Sequence, residues 1–173
     1  MKQSDKESIA KIKDKELHRI AATCIIYNKE NKYLVTKRSP HKKVQPNRWT
    51  VPGGALTTDD YVHRPTTHKD TQWYNSLEKA LRREVKEEVN VKIGKITYLI
   101  DLTFIRPDGI PVLVLSYYAP YKSGNVKLDE DAVEYRWVSA KELNKVDLIP
   151  GIDEEILMVD RILKKENNRN KKR

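Results

Sequence analysis

Between Ser76 and Val91 the chain carries a segment whose side-chain order strongly favours one conformation. At about 100° per residue, Leu77, Leu81, Val85 and Val89 fall on one apolar stripe with Lys79, Arg82 and Lys86 opposite, which predicts an amphipathic helix. Glu84 and Glu88 stand one turn apart, and Glu87 lies on the same flank. Three carboxylates beside a buried stripe repel one another and lose hydration, a cost that a bound hard cation or a shared proton would relieve. The plain alternative is a solvated face in which Arg82 and Arg83 pair with Glu78, Glu87 or Glu88. The helix alone leaves both readings open.

The sequence around it narrows the choice. Arg83-Glu84-Val85-Lys86-Glu87-Glu88-Val89-Asn90-Val91 resembles the end of the Nudix box, and Pro52-Gly53-Gly54 resembles the glycine turn ahead of it. That family's pattern runs Gly, five residues, Glu, seven residues, Arg-Glu, an aliphatic, any residue, Glu-Glu, any residue, Gly and an aliphatic. Counting back from Arg83, the first Glu falls at Asn75, and Asn90 stands where the closing Gly belongs. Asn tolerates the left-handed conformation a helix end asks of that Gly. At Asn75 an amide cannot carry the expected charge, which implies either a lower metal affinity or a shift of that role to Asp59, Asp60 or Asp70. The segment 55–74 reads as an insertion within the box.

The resemblance implies an α/β/α sandwich, an α+β fold with a mixed, mainly antiparallel sheet. It also implies a hydrolase of phosphoanhydride bonds in a nucleoside diphosphate linked to another moiety. By the same resemblance Glu84, Glu87 and Glu88, a carbonyl at Gly53 and an acid of the loop 129–131, with Glu130 placed first, would hold Mg²⁺ or Mn²⁺. Glu84 or Glu88 would serve the attacking water, and Arg83 would brace Glu84 or Glu87. Lys37 and Arg38 are expected near the substrate phosphates and Tyr61 beside the substrate. A nucleotide-binding module without turnover and an RNA-end pyrophosphohydrolase are the alternatives.

Length and charge bound these readings. With 173 residues, 38% hydrophobic and 34% charged, the chain suits one soluble domain. No apolar run reaches the length of a membrane span and no secretory leader is evident, so a cytoplasmic protein without a membrane partner is expected. The lone Cys24 excludes an internal disulfide and reads as a buried thiol. Of the net +9, residues 164–173 hold six bases against one acid, and residues 1–15 hold five against three. The body is thus nearly neutral, which favours a small nucleotide over RNA as partner, while oligomeric state, a homodimer included, stays open.

Along the chain, residues 1–15 read as a flexible or short helical lead-in, 16–163 as the domain and 164–173 as a basic disordered tail. Strands are expected from His18 to Tyr27 and from Tyr33 to Arg38 as an antiparallel pair. A long strand from Lys92 to Ile105 should turn at Pro107-Asp108-Gly109 into Val112 to Ala119, followed by a short strand at Glu134 to Val138. Ser139 with Glu142 forms a capping box. Ile152, Ile156, Val159 and Leu163 mark a final helix covering the sheet. Trp73 and Tyr74 read as anchors of the insertion. His63 and His68 with Asp59 and Asp60 match no metal spacing and read as loop polarity.

Overall fold

The computed structural model describes residues 7, 11, 13–67 and 72–170. Its strands are β1 (Arg19–Tyr27), β2 (Lys32–Arg38), β3 (Trp49–Thr50), β4 (Gly53–Ala55), β5 (Lys92–Ile93), β6 (Thr97–Ile105), β7 (Pro111–Ser123) and β8 (Ala132–Ser139). Two α-helices, α1 (Ser76–Val89) and α2 (Ile152–Asn170), join them, with 3-10 turns at Thr58–Asp60 and Ala140–Lys145. The eight strands form one sheet in which β1 and β7 run parallel and every other pairing is antiparallel.

Alternation along β1 and β2 builds the two sides of the sandwich. Ala22, Cys24, Ile26 and Leu34 meet Leu81, Val85 and Val89 of α1. Ile25, Tyr33 and Val35 meet Ile152, Ile156, Val159 and Leu163 of α2. Both predicted apolar stripes therefore face the sheet. Cys24 is fully buried, and burial pushes its thiol up to about 12, so it packs as an apolar side chain.

Three expectations differ from the structure. The β1–β2 pair meets only at Tyr27 and Tyr33. Beyond that hairpin the strands splay, because β1 takes β4 on one edge and β7 on the other while β2 takes β3 and β8. The expected strand from Lys92 to Ile105 breaks after Ile93, where the Gly94 amide bonds Pro120 O at 2.8 Å and a Cβ would lie 2.7 Å from the Pro120 ring. The tail expected to be disordered is helical as far as Asn170, since α2 docks firmly and elongation from a docked helix is cheap. Lys164 extends it by pairing with Asp160 at 2.6 Å. Among the described residues no helix is long and apolar enough to cross a membrane.

Candidate active site

The sheet brings the glycine turn against α1. β4 lies beside β1, with Thr23 opposite Gly53 and Ala22 opposite Gly54. Any side chain at Gly54 would strike Glu84, since its Cβ would sit 2.3 Å from the carboxyl carbon. At Gly53 the φ of +151° and a Cβ only 2.2 Å from Ala22 O exclude other residues. The turn therefore admits two carboxylates: Glu84 presses on Gly54, and Glu88 accepts the Gly53 N–H at 2.9 Å. Gly53 meets this cluster through its amide, a contact the expected carbonyl role did not include.

Burial dominates the electrostatics. It pushes the Glu88 carboxyl up to about 8, with the Gly53 N–H opposing and the charges of Glu84, Asp129 and Asp131 adding to the rise. Glu84 is raised by burial too, against the pull of the Arg83 guanidinium. Arg38 ends β2 beside Glu88 and Asp131, and burial lowers its pKa against their attraction. Lys42 pairs with Asp131 at 2.5 Å.

Arg83 is the bracket of the site. It donates to Glu84 at 3.0 Å, to Glu87 at 2.7 Å and twice to Asp60, at 2.7 and 3.2 Å. Asp60 is 2% exposed and also accepts the amide and hydroxyl of Thr57. These bonds hold its carboxyl below the usual range, Arg83 contributing most. Asp60 thus brings a buried carboxylate to Arg83, whereas Asn75 is exposed at φ +61° as the N-cap of α1. Asp59 is exposed near His63 at 3.8 Å, and His68 and Asp70 lie outside the described residues. A sequence signal for Asp60 exists: passing over five residues, 55–59, after Gly54, rather than counting back from Arg83, arrives at it.

Several expected positions shift. Glu87 does not border the core; its side chain is 55% exposed and held by Arg83, as the salt-bridged reading of the helix foresaw. Arg82 likewise pairs with Glu78 at 2.9 Å. In the acidic loop it is Asp129 and Asp131 that act on Glu88, while Glu130 faces solvent. A three-residue turn can direct only part of its carboxylates inward, and nothing in its sequence says which. Lys37 alternates with Arg38 and so lies on the α2 side of the sheet. Tyr61 packs on Trp73, ring centroids 5.4 Å apart, and so helps to close the loop. Trp73 anchors that loop by donating to Arg64 O at 2.9 Å, whereas Tyr74 is exposed.

A model of the NUDIX domain matches residues 17–159. The chain belongs to this family. That membership makes it a hydrolase acting on pyrophosphate bonds. The nucleoside triphosphatase NudI of Klebsiella pneumoniae strain 342 is 27% identical over 136 residues, covering 72% of this chain and 85% of that protein. The MutT protein of Methanosarcina mazei Go1 superposes with a TM-score of 0.66 at 22% identity, covering 87% of this chain and 99% of its own. The Nudix domain of Shewanella oneidensis NrtR, solved with ADP ribose, gives 0.65 at 16%, covering 94% and 99%. These two structures share the Nudix sandwich with this chain.

Among the described residues no three His, Cys, Asp or Glu side chains converge as a ready cation cage. The donor chemistry nevertheless suits a hard divalent ion, because Glu84, Glu88, Asp129 and Asp131 offer only oxygen, and the charges of the other three add to the rise that burial imposes on Glu88.

Proposed function

We propose that this chain is a divalent-metal-dependent hydrolase cleaving a phosphoanhydride bond in a nucleoside diphosphate linked to another moiety. The observation that carries it is Glu88: a partly buried carboxylate fixed by the Gly53 amide, one turn from Glu84 and beside Asp129, Asp131 and Arg38. Glu84, Glu88 and an acid of the 129–131 loop would hold Mg²⁺ or Mn²⁺, which when bound neutralises diphosphate charge and the charge growing on the leaving oxygen. The Gly53 N–H holds Glu88 in place, and Arg83 holds Glu84 by a charge-assisted bond. Glu84, raised by burial, is the base we assign to orient and deprotonate the attacking water. Arg38 supplies positive charge where the substrate phosphates arrive. Since the NudI relative is a nucleoside triphosphatase, nucleoside triphosphates are the first substrates to try.

Glu88→Gln keeps the size of the side chain and removes its charge. Mg²⁺-dependent release of phosphate or pyrophosphate should fall by at least about 100-fold while the circular dichroism spectrum is unchanged. Unchanged turnover would overturn the assignment. A binding module without turnover is favoured by one observation, that Arg83 already engages Glu84 and Glu87. Nucleotide binding with no hydrolysis at millimolar Mg²⁺ and Mn²⁺ would establish it.

A further inference from the structure

β6 pairs with β7 along one edge and, among the described residues, with no strand along the other. Leu99, near its start, packs into the core that α2 closes. Beyond that point Ile100, Asp101, Leu102, Thr103 and Phe104 are all exposed. Register against β7 assigns their faces. Ile100, Leu102 and Phe104 stand opposite Ser116, Val114 and Val112 on the α2 side, and Asp101 and Thr103 stand opposite Leu115 and Leu113 on the α1 side.

An open edge invites another strand, and sheets ordinarily blunt it with charge, with a bulge or by keeping the strand short. The other edges of this sheet follow that rule. β3, β4 and β5 have two or three residues each, and β8 carries the ion pair of Glu134 with Arg136. β6 differs. Its bulge, between Tyr98 and Ile100, precedes the exposed stretch, and within that stretch the only charge is Asp101. Ile100, Leu102 and Phe104 are 36%, 38% and 43% exposed.

This stretch is complementary to itself. Two copies related by a two-fold axis through Leu102, perpendicular to the sheet, pair antiparallel with Leu102 facing Leu102, Ile100 facing Phe104 and Asp101 facing Thr103. Apolar then meets apolar on the α2 side, while on the α1 side a carboxylate meets a hydroxyl. Moving the axis to Asp101 sets two carboxylates against each other, and moving it to Thr103 sets Ile100 against Arg106. The sequence therefore selects one register.

We propose that this chain associates with a second copy of itself through β6, so that the two sheets run on as one across an axis at Leu102. Main-chain hydrogen bonds give the contact its direction, and the exposed apolar row gives it a driving force. A contact this short buries less than the roughly 1,200–2,000 Å² of a standard interface, which makes the dimer a weak one that forms at micromolar concentrations. β4, β1, β7 and β6 lie side by side in that order, so the turn that holds Glu88 is three strands from the axis. The pairing is thus independent of the chemistry assigned to that turn.

Sedimentation equilibrium over about 1–200 µM tests it, with the melting temperature as folding control. The wild type should pass from one to two chain masses across that range. Leu102→Lys and Leu102→Glu should each stay monomeric, because at the axis each new charge faces its own copy. An equimolar mixture of the two should recover the dimer, since Lys then faces Glu. Ile100→Lys mixed with Phe104→Glu repeats the exchange at the neighbouring contact with independent substitutions. A wild type that is monomeric throughout, a dimer indifferent to both Leu102 substitutions, or folded variants that stay monomeric in both mixtures would each overturn the proposal.

Discussion

Asp60 and Arg83 decide how the carboxylates of α1 are presented. Removing the Asp60 charge leaves Arg83 without its best partner, so Asp60→Asn should cost about 2 kcal/mol in urea unfolding at pH 7. The sign of its pH dependence follows from the shift. Asp60 has a folded pKa below its ordinary 3.8, so its contribution is complete above that value and is lost as pH falls through the lower, folded one. The gap between wild type and Asp60→Asn should therefore be constant down to about pH 5 and close below pH 4. Gly54→Ala tests geometry instead of charge. Its methyl group would displace the Glu84 carboxylate, and a shift of about 1 Å lowers turnover about 100-fold. Neither role is visible in the residue types themselves. Gly54 is legible through its place in the box, whereas Asp60 becomes legible only when the spacing is counted from the glycine side.

At the scale of elements, the apolar periods of α1 and α2 were sufficient to place both helices and the faces they cover, because burial enforces the period wherever a helix lies on a sheet. The ends were less legible. Asn90 does adopt the left-handed conformation expected of the closing glycine, at φ +55°, with its amide bonded to Lys86 O at 3.0 Å and its side chain donating to Asn125 O at 3.2 Å. Asn90→Ala should lose about 1 kcal/mol, read as a drop in melting temperature, since a Cβ without a polar tip gains nothing in that region. The Ser139–Glu142 capping box also formed, yet it opens a 3-10 turn that ends at Lys145. Local signals set where that turn starts, and packing of Leu143 into the core sets how it continues. The break after β5 was hidden for a related reason. A two-residue strand pairing far along β7 is a tertiary choice, and the alternation on either side of Gly94 reads through it.

At the scale of the molecule, the sandwich holds the carboxylates Glu84 and Glu88 between β4 and α1 while a loop leaves the fold between them. Asp60 stays with the site, and α1 begins at Ser76, so the excursion comprises residues 61–75 and not 55–74. It closes on itself: Tyr61 meets Trp73, Trp73 bonds Arg64 O, and Thr67 bonds Gln72 O. Joining Asp60 directly to Ser76 would leave seven residues, Ser76 to Arg82, between the acid and Arg83, the spacing of the uninterrupted box. Because the loop's outward bonds are short-range ones at its two ends, to Thr58 on one side and to Ser76 and Lys79 on the other, its removal should change stability by no more than about 1 kcal/mol. Turnover of a small nucleotide should stay within about tenfold of the wild type, while the order of preference among larger substrates shifts, since a loop at the rim of a site meets the distal part of the ligand. Urea unfolding together with a panel of nucleoside triphosphates, dinucleotides and nucleotide sugars reads both effects. An unfolded product would instead make the loop a structural brace of Asp60, and the pairing with Arg83 would then depend on residues well outside the box.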